Sequence, residues 1–268
     1  VYEDRWGVKQ DKPDEVVFPA QEVAEHARKM AEKVIKVPAA PIPEPAPAVT
    51  HTVSLGDIPK VKMPAPLTDK EADDLLRSVT GEVWAKASRP EKNALFSYTD
   101  DGYTRINNDL REGKPNAKAK LIAKVINRCK VPQDMVVFRG CGAYKELKDA
   151  IGWNGDVMTD SIAESLNTFY RDRLLEDKGF MSAAVAEGKG FQNRPVLFKI
   201  LLKKKTRAIY AEPFSRFGAG ARKDWDGVSP QAYFSGEDEI IIQKGGTLKF
   251  LQFHNQHGKL IIDCELIQ

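Results

Sequence analysis

The sequence predicts an α+β domain, in which helices come first along the chain and strands follow. Two capping boxes, Thr68 with Glu71 and Ser88 with Glu91, mark helix starts in the first part of this domain. Short apolar runs typical of strands dominate from residue 180 onward. Because helices and strands are segregated rather than alternating, the pattern favours α+β over a doubly wound parallel sheet.

The individual elements are predicted from local spacing. Pro90 lies in the first turn of a helix at 89–98, and helical spacing recurs at 102–112, 117–129 and 159–175. The apolar run 135–138 ends at Arg139 and Gly140 and predicts a buried strand. The other predicted strands are 180–184, 195–203, 206–211, 238–243, 248–253 and 259–266.

A proline-rich stretch sets the domain organisation. Residues 37–66 contain eight prolines, many alternating with Ala or Glu, which favours extended polyproline II and predicts a linker. Before it, residues 1–36 form an N-terminal segment with an amphipathic helix at 20–36. The boundary is expected near Ala65, so that the main domain comprises residues 67–268.

Composition narrows the class of protein. The 42% apolar and 29% charged residues are typical of a globular domain, and no apolar run reaches the roughly 18 residues of a transmembrane helix. A net charge of +3 gives no indication of a nucleic-acid partner. The three cysteines form no C-x-x-C pair and predict neither a disulfide framework nor a zinc site.

Several short motifs carry little weight. A lone G-x-G at 218–220 lacks the companion helix and acid of a dinucleotide loop, and Gly188 and Gly190 lack the spacing of a P-loop. His254 and His257 have no acidic motif beside them and are interpreted as solvent-facing turn residues. The sequence therefore predicts no metal site.

Glu237 and Glu239 form the strongest candidate for chemistry. They are two positions apart at the start of a predicted strand, so both carboxylates can project to one face. Such a pair can stabilise developing positive charge and orient or deprotonate a nucleophile. Alone, the motif is more often a solvated acidic turn.

Two other positions strengthen the catalytic interpretation. Arg139 ends a predicted buried strand, where its guanidinium can bind a pyrophosphate through paired hydrogen bonds. Gly140 follows it and permits close approach of a ligand to the backbone. Ser182 lies at the start of another strand, where its hydroxyl can hold a buried glutamate.

Together these residues resemble a known family. Arg139, Ser182 and the run Glu237-Asp238-Glu239 are similar to the Arg–Ser–Glu-x-Glu pattern of bacterial mono-ADP-ribosyltransferases, in particular clostridial iota-like and vegetative-insecticidal-type actin toxins and related type III effectors. The resemblance covers about residues 68–268. Further matches, in the right order, are Tyr98 and Asn107 of an NAD-contacting helix, Phe191 and Arg194 of a phosphate–nicotinamide loop, and Phe234 of the target-presenting loop.

The resemblance implies a fold and a cofactor-binding role for each matching residue. The expected fold is the ADP-ribosyltransferase fold, with a split two-sheet β core, flanking N-terminal helices and an NAD⁺ cleft. NAD⁺ would be the co-substrate, with no metal. Gly140 would offer its backbone to the nicotinamide amide, and Phe191 would stack on the nicotinamide ring. The residues expected to bind the phosphates are Arg139, Arg194, Tyr98 and Asn107.

The resemblance also implies catalytic roles. Glu239 would bond the ribose hydroxyl and stabilise an oxocarbenium-like ribose, while Ser182 orients Glu239. Glu237 would position the acceptor guanidinium, with Phe234 contributing to target recognition. Family members that modify asparagine carry glutamine at the position of Glu237, so this chain is expected to modify arginine.

The expected target protein and the expected route of delivery are implied only by the family resemblance. Actin is the first expected target, although an apparent insertion at 218–233 leaves other arginine-bearing proteins open. The chain is expected to be secreted or injected and to act in the host cytosol. Residues 1–36 would then act in delivery, or would bind a secretion chaperone or a carrier.

Three alternatives remain open. The family's Thr and second Ser after Ser182 are Ala183 and Ala184 here, which allows an inactive module that keeps the fold and binds a partner or nucleotide. An NAD⁺ glycohydrolase would use the same pocket without transferring ADP-ribose to protein. A structural adaptor would act through residues 1–36.

Overall fold

The structure is a computed structural model, which describes residues 63–142, 157–215 and 237–268. The predicted helix at 20–36 and the linker up to residue 62 lie outside the described residues. The apparent insertion at 218–233 and Phe234 do so as well. Within the described ranges, no helix is long and apolar enough to span a membrane.

Helices occupy the first part of the described chain, as predicted. Both predicted capping boxes are present, with Glu71 bonding back to Thr68 and Glu91 bonding back to Ser88. Because each cap satisfies backbone groups that the first helical turn leaves unpaired, it fixes where the helix begins. The helices are α1 (Asp69–Ala85), α2 (Arg89–Ser97), α3 (Tyr103–Arg111) and α4 (Ala117–Ile126).

A π-helical turn, Tyr98–Gly102, joins α2 to α3 without a break. A Cβ added at Gly102 would lie 2.5 Å from the carbonyl oxygen of Ser97, so any residue larger than glycine would collide with the backbone at this position. The turn places Tyr98 in the interior, where its side chain is only 1% exposed. Wide turns of this kind are frequent at functional sites.

The second part of the chain is rich in strands, which confirms the prediction of segregated elements. The first strand is β1 (Met135–Cys141), and helix α5 (Asp160–Tyr170) follows in the next described range. The later strands are β2 (Leu174–Asp177), β3 (Met181–Ala184), β4 (Val196–Leu202), β5 (Ala208–Tyr210), β6 (Glu239–Ile242), β7 (Gly246–Gln256) and β8 (Lys259–Ile267).

The prediction of one helix over 159–175 was wrong at its end. Helix α5 ends at Tyr170, and Asp172 takes a positive φ of 63° while its N–H donates to the carbonyl of Phe250. The chain then pairs as strand β2 with β7. Pairing with β7, far away in sequence, overrides the apolar spacing of Leu174 and Leu175.

The strands form one mixed sheet in the order β2-β7-β8-β4-β1-β3-β6-β5. Strands β4 and β8 are parallel, and the other neighbours are antiparallel. A single registered pair, Phe138 with Ala184, joins β1 to β3. The sheet therefore consists of a five-strand part and a three-strand part that meet at one point, in an α+β architecture as predicted.

Alternating residues of the three-strand part pack on opposite faces. Ile241 and Ile209 belong to an apolar cluster with residues of α2, α3 and α4. Ile240 and Ile242 belong to a second cluster that includes Ala72 of α1 and residues of α5. Burial on both faces is sensitive to the register of β6, because a shift by one residue would move each isoleucine into the opposite cluster and turn Glu239 away from Ser182.

Candidate active site

Glu239 begins strand β6 and faces Ser182 across the β3–β6 pair. In the register, Glu239 lies opposite Ala184, and Ser182 is two residues from Ala184 on the same face. The Ser182 hydroxyl hydrogen-bonds the Glu239 carboxyl. The structure therefore places the serine hydroxyl beside the glutamate carboxyl, diagonally across the two strands.

Ser182 is supported from behind by a buried chain of polar groups. Its hydroxyl lies 3.4 Å from the Tyr98 hydroxyl, to which the Asn107 amide nitrogen donates at 3.2 Å. The Asn107 amide oxygen accepts the N–H of Phe180 at 2.9 Å. Burial raises the pKa of Tyr98 to about 12, so its hydroxyl keeps its proton. Tyr98 and Asn107 thus hold the serine strand, and direct contact with a dinucleotide stays a prediction for both.

Arg139 approaches the same strand from β1. Its guanidinium donates to the carbonyl oxygen of Ser182 at 2.6 Å, and its charge lowers the pKa of Glu239. The side chain is half-buried, where a guanidinium is screened less than at the surface. The arginine, the serine and the glutamate, far apart in sequence, therefore converge on one point.

The Glu239 carboxyl is tuned by its surroundings. Burial is the largest influence and, together with the negative charges of Glu237 and Glu212, raises its pKa to about 7. The Ser182 hydroxyl and the Arg139 charge oppose this rise. A buried carboxyl whose pKa is raised toward neutrality, hydrogen-bonded to a serine and within electrostatic reach of an arginine and a second acid, is typical of a catalytic site.

The loop between β3 and β4 carries the two other predicted cofactor residues. Phe191 is 59% exposed, and the Arg194 guanidinium lies 5.7 Å from the centre of its ring. The Phe191 backbone packs directly against β1 at Gly140. A Cβ added at Gly140 would lie 1.7 Å from the Phe191 carbonyl oxygen. The close approach expected at Gly140 is thus made by the protein's own loop, which the sequence analysis did not anticipate.

Two residues that the sequence analysis missed, Glu212 and Lys189, contact the turn that presents the acids. The N–H of Asp238 donates to the Glu212 carboxylate at 2.7 Å, and its side chain accepts from the Tyr210 hydroxyl at 3.4 Å. Lys189 lies 3.7 Å from the same side chain and 2.7 Å from Asp69. Glu212 could not be found from the sequence, because a single buried glutamate belongs to no recognisable motif.

The remaining titratable candidates lie away from this site. His254 lies in β7 rather than in a turn, and its imidazole is 2.8 Å from the Asp263 carboxylate. His257 lies in the turn after β7 with a φ of 53°. In the part of the chain that the structure describes, no cluster of three His, Cys, Asp or Glu side chains is arranged to hold a metal ion.

Comparison with known proteins agrees with this geometry. The family model of the ADP-ribosyltransferase exoenzymes matches residues 69–268. The mono-ADP-ribosyltransferase C3 of Hathewaya limosa is 26% identical over 144 residues, which cover 49% of this chain and 57% of that relative. The match thus spans little more than half of that relative's length.

Solved structures share the fold. Plx2a, an ADP-ribosyltransferase toxin from Paenibacillus larvae, superposes with a TM-score of 0.61 at 18% identity, covering 77% of this chain and all of that one. C3stau2 from S. aureus, solved with NAD, gives 0.60 at 18% identity, with 77% and 100% covered. The predicted ADP-ribosyltransferase fold is confirmed, while the finer iota-like assignment stays a prediction.

Proposed function

The chain belongs to the ADP-ribosyltransferase exoenzyme family, and we propose on that premise that it transfers ADP-ribose from NAD⁺ to an arginine of a host protein. The observation that carries the proposal is the convergence of Arg139, Ser182 and Glu239. Glu237 adds a second acid close enough to act on the charge of Glu239. These groups supply both functions that the reaction requires, a cation for the phosphates and acids for the reacting centre.

The charged and aromatic residues fit a dinucleotide. Arg139 and the exposed Arg194 provide guanidinium groups for the pyrophosphate, which favours paired, charge-assisted hydrogen bonds. The exposed ring of Phe191 is available for stacking on the nicotinamide. Binding of NAD⁺ beside Gly140 requires the Phe191 backbone to share or yield that space.

The chemistry assigns a different task to each acid. When the bond between ribose and nicotinamide breaks, nicotinamide leaves with the bonding electrons and the ribose carbon becomes positively charged. Ionised Glu239, oriented by Ser182, stabilises that charge. A guanidinium nitrogen of the acceptor then bonds to the same carbon and loses a proton, which Glu237 accepts.

Glu237 supports arginine as the acceptor. A guanidinium has a pKa above about 12 and is a poor nucleophile while fully protonated. A carboxylate beside it can take the proton as the new bond forms, whereas an uncharged side chain at this position cannot. Actin remains the first candidate target on the strength of the family resemblance, with delivery into the host cytosol as part of the same proposal.

The experiment measures nicotinamide release and protein labelling with labelled NAD⁺ in a host lysate. We expect Glu239→Ala to abolish both activities, because the ribose cation loses its counter-charge. Glu237→Gln should abolish labelling and leave appreciable NAD⁺ hydrolysis. Glu176→Gln, on the exposed edge strand β2, is the matched control and should leave both unchanged.

The outcomes separate the candidate activities. Equal loss of hydrolysis and labelling in Glu237→Gln would contradict the division of roles between the acids. Hydrolysis by the unmodified chain without any labelled protein would indicate an NAD⁺ glycohydrolase. Absence of both would indicate a binding module, to which the alanines at 183 and 184 would then be relevant.

A further inference from the structure

The peptide between Glu237 and Asp238 is held by a carboxylate that the reaction itself does not use. The N–H of Asp238 donates to Oε1 of Glu212 at 2.7 Å, and both residues are buried, at 6% and 2% exposure. Asp238 has a φ of 47°, a left-handed conformation that is strained for a residue with a side chain. Such a conformation persists only where surrounding contacts enforce it.

The rest of the turn is fixed by contacts to two other segments, the residue that follows β3 and the end of β5. The carbonyl of Asp238 accepts the N–H of Val185 at 2.9 Å, and its side chain meets the Tyr210 hydroxyl. The carbonyl of Glu239 accepts the N–H of Ala211 at 2.7 Å, directly before Glu212. Ala211 and Glu212 therefore hold both ends of the short stretch that separates the two catalytic acids.

We propose that Glu212 is a positioning residue, which fixes the Asp238 peptide and thereby aims the Glu237 and Glu239 carboxyls at one site. The inference rests on the proposed function, since it deepens the account of the same two acids. Glu212 is too deeply buried to touch the acceptor protein, so its effect passes through the turn. A hydrogen bond to a charged acceptor is stronger than one to a neutral acceptor, which suits a strained peptide.

The charge of Glu212 has a second consequence. Groups from several elements face Glu239: Tyr98 from the π-helical turn, Arg139 from β1 and Ser182 from β3, together with the acids Glu237 and Glu212. Glu212 is one of the two acids that raise the pKa of Glu239. Removing its charge while keeping an acceptor should therefore make Glu239 easier to ionise.

The test compares Glu212→Gln and Glu212→Ala in the full chain, with Glu176→Gln as the control for loss of one negative charge. Two measurements are made: the kcat and KM of NAD⁺ hydrolysis, and the titration of the Glu239 carboxyl by NMR of protein labelled with ¹³C in its glutamate side chains. The Glu239 signal is identified by its loss in Glu239→Gln. Thermal unfolding establishes that each variant is folded.

We expect Glu212→Ala to lower kcat by about 10- to 100-fold, the equivalent of one hydrogen bond to a charged group, with little change in KM. Glu212→Gln should retain more activity and move the Glu239 titration to lower pH. Unchanged kcat in folded Glu212→Ala, or an unchanged titration in Glu212→Gln, would overturn the proposal. Should the alanine variant not fold, the titration of the glutamine variant decides.

The two measurements keep this inference separate from the proposed function. If the unmodified chain releases no nicotinamide, the proposed function fails, and the titration of Glu239 still tests the influence of Glu212. If hydrolysis is present and neither Glu212 variant alters kcat or the titration, the proposed function stands and Glu212 is only a buried structural acid.

Discussion

The protonation state of Glu239 links its environment to a measurable property of the proposed reaction, its dependence on pH. Burial and neighbouring negative charges raise its pKa to about 7, so the carboxyl is largely protonated below that pH. Only the ionised form stabilises the positive charge that develops on the ribose carbon as nicotinamide leaves. We therefore expect kcat/KM for NAD⁺ hydrolysis to increase with pH and to level off above an apparent pKa near 7, because kcat/KM reports groups of the free enzyme.

Neighbouring acids provide the control for this pH profile. Of the two neighbouring acids that raise the pKa of Glu239, Glu237 has the larger effect. In Glu237→Gln, the rise of kcat/KM should move to lower pH, because one repulsive charge has been removed. The distant substitution Glu176→Gln should leave the profile in place. A rate that is constant between about pH 5 and 8 would show that Glu239 ionises normally, as an exposed glutamate does.

At the scale of elements, the contact between β1 and the β3–β4 loop depends on one glycine. A Cβ at Gly140 would lie 1.7 Å from the Phe191 carbonyl oxygen, which is backbone and cannot rotate away. Gly140→Ala must therefore displace the loop that carries Phe191 and Arg194. We expect an increase in the Kd of NAD⁺ by about tenfold or more, measured by isothermal titration calorimetry, since a displaced loop loses at least one good contact.

Gly142→Ala is a matched control for the loop, because Gly142 follows closely on the same segment and a Cβ there meets no atom within 4 Å among the residues that the structure describes. Its affinity for NAD⁺ should equal that of the unmodified chain. If Gly140→Ala bound NAD⁺ as tightly as Gly142→Ala, the position of the loop against β1 would be irrelevant to binding.

Helix starts and buried strands could be predicted because their signals are local. Thr68 and Ser88 cap helices through residues three positions away, and the isoleucines of β6 form an unbroken apolar run. The edge strand β2 could not be predicted from local patterns. Leu174 and Leu175 continue the apolar spacing of the preceding helix, and only pairing with β7 makes them a strand. Local patterns fail where a partner distant in sequence decides the structure.

The candidate site could be predicted only in part. Periodicity placed Glu239 and Arg139 at strand ends, and the family resemblance supplied the link between Ser182 and Glu239. Neither periodicity nor the family resemblance could identify Glu212, because a lone glutamate after a short strand has no partner along the sequence. Its hydrogen bond to the Asp238 N–H exists only because β5 and β6 pair.

The whole molecule brings the site together at the narrow junction of its sheet. Phe138 and Ala184 are the single registered pair between the two parts, and Arg139 and Ser182 lie beside them. Five strands thus support the arginine and three support the two acids. A site built across a junction of this kind depends on the sheet as a whole, so its stability and its activity should be lost together on unfolding.

Residues 63–268 should suffice for the proposed hydrolysis of NAD⁺. Met63 packs against a cluster containing Phe138, and Thr68 caps α1, so a chain of residues 63–268 retains every contact described. We expect it to fold and to hydrolyse NAD⁺ as the full chain does. A shorter chain of residues 69–268 loses the cap, which costs about 1 kcal/mol, and the Met63 contact, so its Tm should be lower. Loss of hydrolysis in folded 63–268 would show that the preceding residues contribute to the site.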